Sequence, residues 1–332
     1  MKALVTGGGG FLGQAIVRKL VEQGDSVRIL ARSDYPELRT LGVETFRGDL
    51  ANMSSIRDAA KGCDVVFHVA AKAGVWGPYS EYHRVNVEGT RNVIEVCRDL
   101  GISRFVHTSS PSVVFNGRDM EGVDETTPYP RHHNAPYPAT KAEAERLVLA
   151  SNGANLAVVA IRPHLIWGPG DNHLIPRILA RAKAGKLRRI GIVPRLVDAT
   201  YIDNAADAHL LAADRLFPGA PIAGKAYFIA QGEPIPIWDL VDRILAAANL
   251  PKVSRSVSPW MAHAAGFFYE GLYRAFRTKD EPPMTRFMAR ELSTAHWFNL
   301  DAARRDLGYS PAVSTRQGLE RLSLWLKKDG QS

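Results

Sequence analysis

The chain has 332 residues, 45% hydrophobic and 23% charged, enough for a large core in one big domain or two unequal ones. No apolar run reaches the roughly 18 to 20 residues that span a bilayer, and the opening MKALVTGGGG lacks the apolar core of a signal peptide, so a cytoplasmic, soluble protein without a transmembrane segment is expected. Cys63 and Cys97 lie in no Cys-x-x-Cys or Cys/His cluster, which argues against a disulfide framework or a metal site, and the net charge of +8 is dispersed without a nucleic-acid recognition motif, so no nucleic-acid partner is expected.

The first segment reads as a complete βαβ unit: the strand KALVT, a glycine turn, an amphipathic helix stopped by Gly24, and the strand SVRIL. Gly7, Gly10 and Gly13 fit GxxGxxG, a variant of the dinucleotide fingerprint, where strand passes into helix. Gly7 permits the tight turn, Gly10 lets backbone approach a pyrophosphate, and Gly13 lets helix pack closely on sheet. The phosphates would sit at the positive end of the helix opening at Phe11 and Leu12. Out of this context the glycines would be a flexible loop. NAD asks for an acid at the tip of the second strand, but Ala31, Arg32 and Ser33 stand there and Asp34 comes late. The fork of Arg32 suits the extra phosphate of NADP, so NADPH is the predicted cofactor; the alternative is a surface arginine.

Alternation continues through GVETFRGDL, CDVVFHVAA, a helix from about His83 to Leu100, RFVHTSS and LAVVAIRP. The fold class is α/β, a Rossmann-type doubly wound parallel sheet of six or seven strands. Ligands of such sheets lie at the carboxyl ends of strands, which here carry Gly7 to Gly13, Asp49 and Leu50, His68 to Ala71, Thr108 to Ser110, and Arg162 to His164. In APYPATKAEAE, Tyr137 precedes Lys141 by four residues in a run of helix formers, with Pro138 suited to the first turn. The two share a helix face, and the ammonium would draw the phenol's pKa from about 10 toward neutrality, making Tyr137 a proton shuttle. Such a pair also occurs on solvated helix edges.

Beyond IRPHLIWGPGD the alternation ends, although NAADAHLLAADRL and AYFIA look like a return to the sheet. The expected division is 1–166 with about 201–230 for the dinucleotide domain, and about 167–200 with 231–332 for a smaller, mostly helical substrate domain. Residues 258–290 concentrate Trp260, Phe267, Phe268, Tyr269, Tyr273, Phe276 and Phe287. They suit a helix packed on its own domain, a lid over long acyl chains, a surface for partner enzymes, or a peripheral membrane contact, and the Arg and Lys residues of the segment could attract a substrate carboxylate.

With the glycine turn, GDL, HVAA, TSS and Tyr-x-x-x-Lys in this order, nearly the whole chain resembles the extended short-chain dehydrogenase/reductase family of the epimerase/dehydratase type. HTSSPSVVFNG, YHRVNVEGTRNVIEVCRDLGI and YIDNAADAHLLAADRL are similar to its 3β-hydroxysteroid dehydrogenase branch. Together with AAKAGVWGPYSEY, they also resemble bacterial reductases of 2-alkyl-3-oxoalkanoic acids from long-chain olefin biosynthesis. The resemblance implies that Tyr137 is the acid/base, that Lys141 lowers its pKa and holds the nicotinamide ribose, and that Ser110, with Ser112 as rival, binds the reacting oxygen. It places Asp49 and Leu50 beside the adenine, Ala70 and Ala71 along the cofactor channel, and Pro163 and His164 at the nicotinamide end, where His164 and Trp167 would also line the substrate cavity. Asn86 matches the family's asparagine on the next helix; an internal helix hydrogen bond is its other role. The implied substrate is an apolar long-chain β-keto acid, and the implied partners are a second copy in a homodimer and other olefin-pathway enzymes. Sterol dehydrogenation and nucleotide-sugar epimerisation or dehydration are the alternatives.

Overall fold

Six largely apolar runs and the edge segment Glu44–Arg47 supply the strands β1 (Lys2–Thr6), β2 (Ser26–Ala31), β3 (Glu44–Arg47), β4 (Val65–His68), β5 (Arg104–Thr108), β6 (Ala157–Pro163) and β7 (Lys225–Ile229). The computed structural model describes residues 1–329 except 277 and 279; Arg277, Lys279 and the end of the expected substrate domain, 330–332, lie outside the described residues. All seven strands are parallel, in the order β7-β6-β5-β4-β1-β2-β3. The interior strands β4 and β6 are buried along their whole length, as strands covered on both faces must be. In β1 the pleat sends Ala3 and Val5 into one core, with Ile16 and Val17 of α1 (Phe11–Glu22), while Leu4 enters the other, with Val93 and Cys97 of α2 (Gly89–Leu100). Helix α3 (Pro136–Ala150) adds Val148 to the second core, and α4 (Ile202–Arg215) packs on α1 in the first.

The crossovers run from β1 outward to β3 and then return to β4 on the other side of β1, so a crevice opens between the carboxyl ends of β1 and β4. Gly7 and Ala70 face each other there: a Cβ on Gly7 would stand 2.8 Å from the Ala70 Cα. The helix expected from His83 begins earlier, as Tyr79–His83, and reaches α2 through a π turn, Arg84–Glu88, that holds Asn86.

The smaller part is not simply helical. Met120–Val123, Leu196–Val197, Ile235–Pro236 and His296–Phe298 form a mixed four-stranded sheet, and Arg189–Ile190 pairs with Ser256–Val257. Its first strand comes from within 1–166, while Asp301–Leu307, from within 231–332, packs on α4 and β7. The chain thus crosses between the two parts more often than the expected division has it. Strands of two to four residues carry too little alternation to be read from sequence. Beside this sheet, α5 (Pro259–Ala275) lies against α6 (Arg286–Glu291).

Candidate active site

The glycine turn forms the floor of a cleft. Gly7 has φ +69° and donates its N–H to the Leu30 carbonyl at 2.9 Å, while a Cβ on Gly13 would fall 2.1 Å from the Gly7 carbonyl oxygen. Helix α1 therefore starts hard against the end of β1, and its cap residue Gly10 puts no side chain over the first N–H groups. These uncapped donors on a side-chain-free floor fit a dinucleotide pyrophosphate. Phe11, Leu12 and Gly13 line this end of the cleft, and Arg32, Asp49 and Leu50 line another part of it. Arg32 is exposed and forms no ion pair among the described residues, whereas Asp34 is taken by Arg39 at 2.7 Å. Arg47 donates to the Arg32 carbonyl at 3.2 Å, placing a second guanidinium nearby. Tyr35, which sequence reasoning missed, lays its ring over Gly9, where a Cβ would stand 2.0 Å from it.

Ala70, Ala71, Lys141, Tyr137, Ser110 and Pro163 complete the cleft. The Lys141 ammonium is buried and donates to the Thr108 carbonyl at 2.6 Å, with His107 Nε2 at 3.4 Å. Burial lowers its pKa to about 8, opposed by Glu145 one turn along α3. Arg162 grips that carboxylate through two bonds of 2.9 and 2.6 Å, and the Tyr129 hydroxyl donates to it at 2.5 Å. The Tyr137 phenol is pushed up to about 12 by desolvation; the Ser110 hydroxyl pulls it down, and Glu291 and Tyr82 add to the rise. The predicted fall toward neutrality is therefore overturned. Withdrawal of the phenolate from water outweighs the helix-face pairing, and Lys141 is turned to the Thr108 carbonyl. At neutral pH the phenol carries its proton and can donate it.

Ser110 and Ser112 are separated by position. Their Oγ atoms are 2.9 Å apart, but Ser110 lines both the cleft and a second cavity, while Ser112 lines the second alone. Asn86 lines neither cavity. Its buried amide accepts from the Lys72 N–H at 2.7 Å and donates to the Lys72 carbonyl and the Thr140 hydroxyl, tying the loop after β4 to α3.

The second cavity, of about 710 Å³, shares Ser110, Tyr137 and Pro163 with the cleft. Phe115, Met120, Leu165 and Phe287 give it an apolar wall; its polar groups include His164, His296, Glu291 and the ion pair Arg177–Glu281. His164, expected among the cofactor contacts, lines only this cavity, because its Nδ1–H donates to the Asp198 carbonyl at 2.8 Å and holds the ring away from the cleft. Its ring stacks on His296 at 5.7 Å, and burial lowers the two imidazoles to about 4 and about 3, so both are neutral. Burial raises Glu291 to about 8, leaving that carboxyl protonated at neutral pH. Trp167, expected beside the substrate, packs edge-on against Tyr201 in the core instead. Glu291 and His296 carry no sequence signal, because only folding brings them to Tyr137, whereas Phe287 belongs to the aromatic cluster of 258–290.

Residues 4–258 match the 3-beta hydroxysteroid dehydrogenase/isomerase family. A 2-alkyl-3-oxoalkanoate reductase of Stenotrophomonas maltophilia is 53% identical over 324 residues, 97% of this chain and 98% of its own. Another, from Shewanella oneidensis, is 47% identical over 96% of this chain and 85% of its own. The solved structure of MoeE5 in complex with UDP-glucose and NAD superposes over 100% of both chains with a TM-score of 0.77 at 26% identity. With the family matched along most of its length and two reductases aligned nearly end to end, this protein belongs to the 3-beta hydroxysteroid dehydrogenase/isomerase family and is an oxidoreductase of keto and CH–OH groups.

Proposed function

We propose that the protein uses NADPH to reduce the 3-keto group of a long-chain 2-alkyl-3-oxoalkanoic acid to the 2-alkyl-3-hydroxyalkanoic acid, a step of long-chain olefin biosynthesis. The observation that carries this reading is the shared wall: Ser110 and Tyr137 stand between a glycine-floored cleft and an apolar cavity. The 53% identity to a 2-alkyl-3-oxoalkanoate reductase supports the substrate class. Burying one methylene is worth about 0.8 kcal/mol, so the Phe115, Met120 and Phe287 wall favours long alkyl chains. Arg32, with Arg47 beside it and Asp34 engaged elsewhere, supports the 2′-phosphate of NADP.

A reduced nicotinamide bound in the cleft supplies the hydride that becomes the hydrogen on C3. The Ser110 hydroxyl donates to the keto oxygen, and Tyr137, protonated at neutral pH, passes its proton to that oxygen as charge develops there. Lys141, anchored on the Thr108 carbonyl, places its ammonium along the cleft for the ribose hydroxyls. With Glu291 protonated, both imidazoles neutral and the Glu281 carboxylate paired with Arg177, no unpaired negative charge in the cavity repels the substrate's carboxylate. The same reading makes the protein a cytoplasmic homodimer that works with other olefin-pathway enzymes.

The test is loss of NADPH or NADH absorbance with purified protein and a synthetic 2-alkyl-3-oxo acid bearing two long chains. Faster oxidation of NADPH, reduced about 10³-fold in Tyr137→Phe with NADPH binding retained, is expected. Turnover with NADH alone would overturn the cofactor, and turnover only of sterols or uridine diphosphate sugars would overturn the substrate.

A further inference from the structure

Helix α5 has its polarity reversed. Its buried face is Ala262, Gly266 and Glu270, and Glu270 is the helix's only carboxylate. A Cβ on Gly266 would lie 2.6 Å from the Thr285 carbonyl carbon, while Glu270 accepts from the Arg286 N–H at 2.8 Å and its Nε–H at 2.9 Å. Outward stand Trp260, Met261, Phe267 and Phe268, 77%, 54%, 67% and 64% exposed, with Phe276 at 74% just past the last turn. A surface helix bathed in water buries the aromatics and exposes the carboxylate. The patch extends beyond the helix: Ile192 and Val193 are 89% and 60% exposed, and their neighbour Gly191 donates to the Val257 carbonyl at 2.8 Å, beside the Ser258 cap of α5.

Cations ring this apolar surface. Lys186, Lys252 and Arg255 lie on or beside the paired strands Arg189–Ile190 and Ser256–Val257 that lead into α5; all three are exposed and form no ion pair among the described residues. At the far end, the Arg286 guanidinium lies 5.6 Å over the Phe267 ring and that of Arg274 5.5 Å over Trp76. Aromatics framed by basic groups complement a surface that is greasy beneath and negatively charged above.

We propose that α5 and the 191–193 loop seat the protein on an anionic lipid bilayer, with the aromatics at the headgroup–acyl boundary and the basic collar against lipid phosphates. The seat adjoins the substrate cavity. The Trp76 indole N–H donates to the Thr278 carbonyl at 3.3 Å, its ring meets Tyr273 edge-on at 6.3 Å, and the neighbouring Gly74 and Val75 line the cavity. An apolar acid dissolved in the bilayer would then enter with little exposure to water. That link to substrate delivery rests on the proposed reaction, whereas seating is measured without substrate, so the two fail separately.

The experiment is cosedimentation of the full chain with large vesicles of phosphatidylcholine alone or mixed equally with phosphatidylglycerol. Binding to the mixed vesicles is expected, weakening on the order of tenfold at about 0.5 M NaCl. In Trp260→Ser/Phe267→Ser/Phe268→Ser the affinity falls on the order of tenfold or more with an unchanged melting temperature. Wild-type protein left in the supernatant with mixed vesicles overturns the proposal, as does a triple variant that sediments like the wild type. Light scattering that shows a wild-type dimer split by the triple variant also overturns it, because a second copy would then cover the patch.

Discussion

The two cavities that meet at Tyr137 are built on different plans. The floor of the cleft is main chain, the glycine turn of 7–13, set among the ends of parallel strands that the sheet alone brings to one edge. The neighbouring cavity is side chain, drawn from Phe115, Met120, His164, Phe287, Glu291 and His296. A main-chain site is intolerant at its glycines, whereas a side-chain cavity can be recut residue by residue. The fold can thus keep one chemistry while its substrate changes.

The sharpest way to break that contrast is at the cleft floor. In Gly13→Val the new Cβ falls 2.1 Å from the Gly7 carbonyl oxygen, so α1 must move off the sheet, and NADPH affinity should drop about 100-fold by fluorescence titration. Unchanged affinity would mean that close helix approach is not what the cofactor reads. A smaller effect is expected across the wall. Phe287→Ala removes the edge-on contact with Phe115 at 6.1 Å and should lower kcat/KM for a long-chain acid about tenfold through KM, with NADPH affinity preserved. An equal loss with a short-chain acid would show that the cavity does not measure chain length.

The remaining effect is on stability, concerns Glu291 and has a definite sign. Its folded pKa of about 8 lies above the ordinary carboxyl value, so between roughly pH 4.5 and 8 the unfolded chain has lost a proton that the folded chain keeps. Stability from this group is full below that window and is lost as pH rises through it. Glu291→Gln should therefore stabilise the protein by up to roughly 4 kcal/mol at pH 8 and hardly at pH 4, read from denaturant midpoints. A gain independent of pH would show that the carboxyl does not titrate in the cavity.

Much of the cleft was legible because its requirements are local. A positive φ at Gly7 and a missing Cβ at Gly13 follow from a strand turning straight into a helix, and they leave a mark in seven consecutive residues. Tyr137 and Lys141 were legible for the same reason, being one turn apart on α3. Their electrostatics were not. The phenol's pKa rises because the cleft desolvates it, and the ammonium faces Thr108, a strand residue that helix periodicity says nothing about. His164, expected beside the cofactor, lines the second cavity and not the cleft, because its ring follows the Asp198 carbonyl, which spacing along the chain does not reveal. The reversed face of α5 was visible as a cluster of aromatics, yet which side they turned to depended on Glu270 finding Arg286.

By itself the sequence determined the parallel sheet, the cofactor turn and the Tyr137 helix, since strand alternation, glycine geometry and helix spacing act over a few neighbouring residues. Only the tertiary structure decided the apolar cavity beside Tyr137, the protonation of Tyr137 and Glu291, and the outward turn of the α5 aromatics. Burial, and therefore both desolvation and exposure, belongs to residues that meet across the fold and not along the chain.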